Sequence, residues 1–105
     1  MVDVKEAQKS VGAPSVLAFE LQPGDRIPNN RLPLLVYRHV FNLLGSADGA
    51  EVIETRFQAN HWSGTWRNGI YAYHHYHSTA HEVLGVFRGS ATVQFGGDRG
   101  RTQQL

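Results

Sequence analysis

The chain has 105 residues, ten Lys and Arg against nine Asp and Glu for a net charge of +1, and no cysteine. This length bounds it to a single domain able to bury a workable core. The composition excludes a disulfide framework and a thiolate metal site, its near-neutral charge gives no long-range pull toward nucleic acid or anionic lipid, and no apolar run approaches the roughly 20 residues of a membrane span.

Residues 1–15 are polar and small and are expected to form a flexible N-terminal arm ahead of one domain over 16–105. Positions 1–10 carry mixed charge without the apolar stretch of a secretory signal, so a cytoplasmic protein is expected. Val16 to Leu21 reads as a first strand, stopped by Gln22-Pro-Gly-Asp25, where proline presets φ and glycine accepts a positive one. Leu34 to Arg38 has the β-branched and aromatic character of a second strand. Over about 48–60 the period changes: Val52, Ile53 and Phe57 recur at helical spacing with charged residues between them, and Ser46 or Asp48 can cap the start. This is the one helix expected, with His61-Trp62-Ser-Gly64 as its exit. From Gly69 the alternation returns, giving a meander of strands over 71–77, 82–87 and 91–95. Gly96-Gly-Asp-Arg-Gly100 is a turn-rich segment, and Arg101-Thr-Gln-Gln-Leu105 has no strand pattern. Trp62 and Trp66 are expected in the core, and His39, His61 and His74 as surface or packing residues.

The chemistry concentrates in Gly69-Ile-Tyr-Ala-Tyr-His-His75-Tyr-His77-Ser-Thr-Ala-His-Glu82-Val-Leu-Gly-Val-Phe-Arg-Gly89. In an extended strand, side chains two apart share a face, which places His75 and His77 roughly 7 Å apart at Cα and able to reach one ion. Neutral imidazoles bind transition metals at roughly 2.0–2.2 Å, and a carboxylate offsets the charge of the cation. Glu82, on the returning strand, is the favoured third ligand. His81 would take that place with a gap shorter by one residue, and adjacent strand residues cannot both point inward. Tyr71 and Tyr73 share the face of the two histidines and are candidates for the wall of a substrate pocket, with barrel filler the competing reading.

These spacings resemble the first signature motif of the cupin superfamily: a glycine, five residues, His-x-His, three or four residues, a glutamate, six residues and a glycine. Gly69, His75, His77, Glu82 and Gly89 fit every fixed position. The segments Asp25 to Arg38 and Trp66 to Tyr71 resemble a group of small, uncharacterised bacterial cupins. The second cupin motif, which contains Pro-x-Gly-x-x-His and supplies a further histidine ligand, has no counterpart.

The resemblance implies a mainly β, cupin-like jelly-roll sandwich or barrel, incomplete at the C-terminus, with one short α-helix. It implies a divalent transition metal (iron, manganese, nickel or zinc) on His75, His77 and Glu82, with water in place of the missing imidazole. The function implied is a metal-binding small cupin, either a small-molecule enzyme of oxygenase, isomerase or decarboxylase type, or a non-catalytic ligand-binding or sensor module, or a truncated inactive form. A small-molecule ligand is the expected partner, with neither nucleic acid nor membrane. A meander ending at Phe95 would leave an unpaired sheet edge, from which a homodimer is expected.

Overall fold

A computed structural model describes residues 13–105, so all but the end of the expected N-terminal arm lies outside the described residues. The architecture is mainly short strands with one helix, in the order β1 (Ser15–Phe19), β2 (Leu34–Arg38), α1 (Gly49–Ala59), β3 (Thr92–Phe95) and β4 (Arg101–Gln104). The strands form two antiparallel ribbons, β1 with β2 and β3 with β4. Among the described residues, no helix is long and apolar enough to cross a membrane.

In the first ribbon, Ser15 lies opposite Arg38 and Phe19 opposite Leu34. The strand period of two sorts β2 cleanly: Val36 is buried at 1% exposure, whereas its neighbours Leu35 and Tyr37 face outward. The connection between the strands is pinned by Asn29, whose amide donates to the Gln22 carbonyl at 2.6 Å and to the Gly96 carbonyl at 3.2 Å, tying it to the second ribbon.

That second ribbon corrects the expectation for the C-terminal residues. Arg101 to Gln104 is a strand, with Phe95 opposite Arg101 and Thr92 opposite Gln104. Ala91 and Leu105 extend it by reciprocal backbone hydrogen bonds of 2.9 and 2.7 Å. The reversal is made by Gly96 and Gly97, with φ of +90° and +98°, a region that side chains disfavour. Polar side chains concealed the strand because only Gln103 turns partly inward, while Leu105 is buried. The sheet edge expected at Phe95 is thus occupied by the chain's own β4.

The two ribbons meet around Val36, Val93 and Leu105, with Phe19, Leu34, Val86, Ala91 and Phe95 packed against them. Arg38 Nη2 donates to the Gln104 carbonyl at 2.6 Å, and the Arg101 guanidinium lies 3.9 Å from the centre of the Phe19 ring. Burial of apolar surface is the main force joining the ribbons, and the cation over the aromatic face adds a smaller attraction.

Helix α1 forms where the change of period indicates it. Asp48, in extended conformation, accepts hydrogen bonds from the backbone N–H groups of Ala50 and Glu51 at 3.1 and 3.3 Å, satisfying donors that have no partner within the helix. Ala50 and Ile53 are buried, and Phe57 continues the same face, one turn beyond Ile53. At the other end, Trp62 N–H donates to the Phe57 carbonyl and His61 N–H to the Gln58 carbonyl, both at 3.0 Å. This is a Schellman closure, with His61 at φ +68° where glycine is the usual occupant.

The expected strands over 71–77 and 82–87 are not found. Both segments run without a ladder, and between residues 63 and 90 no backbone-to-backbone hydrogen bond forms among the described residues. Trp62 and Trp66 are also not core residues: they are 36% and 65% exposed.

Candidate functional site

With no ladder to hold them, the two segments that carry the histidines and the glutamate are placed by side chains, and both are fastened to α1. The first is held by Arg67, which donates through Nε at 3.2 Å and Nη2 at 2.5 Å to Glu54 Oε1, and through Nη2 at 3.2 Å to Asp48 Oδ2. One guanidinium therefore spans the N-cap and the second turn of the helix. The Glu51 N–H is the largest influence holding the Asp48 carboxyl below its ordinary pKa, with Arg67 adding to it; the hydrogen bond to Glu54 leads in pushing Arg67 upward.

The second segment lies against the buried face of the helix, at Ile53 and Phe57. A methyl group on Gly85 would lie 2.6 Å from Ile53 Cγ2 and 3.2 Å from Phe57 Cζ, and the Phe87 carbonyl lies 3.4 Å from where a Cβ on Gly49 would sit. The backbone at Gly85 thus rests directly on the buried face of α1. Glycine at this position permits close approach rather than an unusual dihedral angle.

Between these anchors the rings gather on one side. Tyr71 and Tyr73 stack with centroids 5.3 Å apart and planes 16° apart, and Trp66 lies 6.5 Å from Tyr71. His75 is 5.4 Å from Tyr71 and 5.7 Å from Tyr73, and its ring meets that of His77 edge-on at 5.2 Å. Residues four apart in a straight strand are separated by about 13 Å, so the Tyr71–His75 contact requires the chain to curl, as it does at residues 72 and 73. The shared side expected for Tyr71, Tyr73, His75 and His77 is present as a cluster rather than a row. It is not enclosed: Tyr71 is 44% and Tyr73 65% exposed. His74 points elsewhere, with Nε2 3.3 Å from Asp98 on the turn between β3 and β4.

His77 Nε2 lies 3.5 Å from Glu82 Oε2. Glu82 of the return segment thus meets His77. Two donors held at about 2.1 Å on neighbouring positions of a tetrahedral or octahedral ion are about 3.0–3.4 Å apart, and two imidazole centroids in the same situation about 4.6–5.3 Å. The His77–Glu82 and His75–His77 spacings lie close to these values. Among the described residues no three such groups already converge on one point. His77 stands between its partners as the common member of two pairs, and at 48% and 47% side-chain exposure His77 and Glu82 have room to rotate. The donor types are those a divalent transition metal accepts, and the one donor pair in proximity is His77 Nε2 with Glu82 Oε2.

Arg67 and Gly85 were not legible as site-forming residues. Their partners are 13 or more positions away in sequence, and no periodicity reports such contacts. A shallow groove elsewhere, bordered by Ser46, Asp48, Glu51, Val52, Thr55 and Arg56, runs along the outer side of α1 and includes none of the predicted ligands.

No protein-family model matches the chain, and no solved structure matches it. Over 76 residues it is 46% identical to a Bacillus subtilis (strain 168) protein described as "Uncharacterized protein YjlB", an alignment that takes in 71% of this chain and 42% of that protein. The chain thus spans less than half the length of the curated relative it matches.

Proposed function

We propose that the chain is a metal-binding domain of small-cupin type, in which His75, His77 and Glu82 hold a divalent transition metal beside the rings of Tyr71 and Tyr73. The observation that carries this reading is the meeting of three residues of the motif around His77: the His75 ring at 5.2 Å and the Glu82 carboxylate at 3.5 Å. The five matching positions of the motif support it independently. A jelly-roll arrangement belongs to the same proposal and draws support from two antiparallel ribbons packed around Val36, Val93 and Leu105.

Bound there, iron, manganese, nickel or zinc would supply Lewis acidity or, for a redox-active ion, a place where a small molecule and dioxygen meet. The chain's own residues supply the rest. Glu82 offsets the ion's charge, both imidazoles must be neutral to ligate, so that binding weakens in acid, and Tyr71 and Tyr73 offer aromatic faces to a small organic ligand.

A second reading, a cytoplasmic ligand-binding or sensor module without turnover, is favoured by the exposure of the cluster. Catalysis at a metal gains from excluding water, and His77, Glu82, Tyr71 and Tyr73 are all 44% exposed or more. Covering of this face by a second copy, in a homodimer, would combine the two readings.

The test is elemental analysis of protein purified without added metal, alongside His75→Ala and Glu82→Ala variants. Near-stoichiometric metal in the parent, lost in both variants, is expected. Equal metal content in all three would defeat the ligand assignment.

A further inference from the structure

Segment 63–90 carries every proposed ligand yet takes no backbone hydrogen bond from a neighbouring strand among the described residues. Its shape therefore depends on side-chain attachments. The strongest polar attachment is Arg67, whose fork makes three contacts to two carboxylates on α1, one of which, Glu54, is only 24% exposed. From the residue beside it an unbroken series of ring contacts leads to the proposed ligands: Trp66 to Tyr71, Tyr71 to Tyr73, both tyrosines to His75, and His75 to His77. Beyond Glu82, the series returns to the same helix through Gly85 against Ile53 and Phe57.

We infer that Arg67 is a positioning residue for the metal site: by clamping the start of the aromatic series to Asp48 and Glu54, it fixes the orientation in which His75 and His77 meet Glu82. This rests on the metal-binding reading above. A planar guanidinium suits the role because it engages two carboxylates in a fixed geometry, whereas a lysine ammonium is a point charge on a flexible stem. Nothing in the arrangement requires Arg67 to touch the ion.

The experiment is titration of the 105-residue chain with cobalt(II), following its visible ligand-field absorption, for the parent, Arg67→Met, Arg67→Lys and Glu54→Gln. Circular dichroism and thermal midpoints are recorded without metal. Residues that orient ligands from outside the coordination shell typically change metal affinity about 10–100-fold. A rise of about tenfold in the dissociation constant is expected for Arg67→Met, with a changed absorption envelope at saturation and partial recovery in Arg67→Lys.

A purely structural role would lower the metal-free midpoint while leaving the dissociation constant and envelope as in the parent, well below that midpoint. That result overturns the inference. If Arg67→Met does not fold, Glu54→Gln decides: it removes the charge from the main partner and leaves the Asp48 cap in place. A severalfold weaker affinity supports the assignment, and an unchanged one overturns it. Absence of cobalt binding by the parent itself would instead overturn the metal-binding reading, and the role of Arg67 with it.

Discussion

Replacing Gly85 with alanine tests whether the segment carrying Glu82 truly rests on α1. The added methyl would lie 2.6 Å from Ile53 Cγ2, about an ångström inside an ordinary carbon–carbon contact, and 3.2 Å from Phe57 Cζ. Ile53 is only 3% exposed and cannot swing away into solvent. Overpacking of this kind costs roughly 1–3 kcal/mol. Because Gly85 is not among the positive-φ residues, alanine also removes unfolded-state freedom, a gain of about 0.4–1 kcal/mol. The net loss is about 1–2 kcal/mol, and each kcal/mol lowers the midpoint of a domain this size by about 4–8 °C.

Urea denaturation of a double-mutant cycle with Ile53→Ala isolates the contact. Removing both γ-carbons makes room for the methyl, so Gly85→Ala should cost about 1 kcal/mol less in the Ile53→Ala background. A neutral or stabilising Gly85→Ala, additive with Ile53→Ala, would refute the placement of this segment against the helix.

Val36, at 1% exposure between the ribbons, should cost about 2–3 kcal/mol when cut to alanine, whereas Leu32→Ala, at a site 62% exposed, should change the urea midpoint little. Replacing His61 by glycine should stabilise the protein by up to about 1 kcal/mol, since the residue sits at φ +68° at the end of α1; unchanged thermal stability would contradict the Schellman closure. Asp48 contributes through a carboxyl whose folded pKa lies below 3.8, so its stabilisation is present above that value and fades as pH falls through the folded pKa. Asp48→Asn keeps a capping oxygen without the titration, and its deficit against the parent in thermal midpoint should shrink between about pH 5 and 3.

Local chemistry made β2 and α1 legible in the sequence. Leu34 to Arg38 alternates faces in the register the fold uses, and Asp48 followed by an apolar stripe ending at Phe57 marks a capped helix. Strand β4 was concealed because its residues are nearly all polar and its identity comes from pairing with β3 across the Gly96-Gly97 reversal; Leu105, buried beyond it, was the available signal. The converse holds over 71–77, where strand-like composition produces no strand because no partner runs beside it. Alternation places Tyr71, Tyr73, His75 and His77 on one side only along a strand, and residues 71–77 form none. It could not reveal that a bend would gather their rings, or that an arginine and a glycine would fasten the site to the helix.

The proposal that one ion is held by His75, His77 and Glu82 selects two of the four histidines and the one carboxylate in residues 74–82. Metal stoichiometry across five single alanine variants, at His74, His75, His77, His81 and Glu82, tests it most directly. Loss of metal at His75, His77 and Glu82, with retention at His74 and His81, is the predicted pattern; a uniform partial loss across all five would mean that the segment binds metal only as a loose histidine-rich tract.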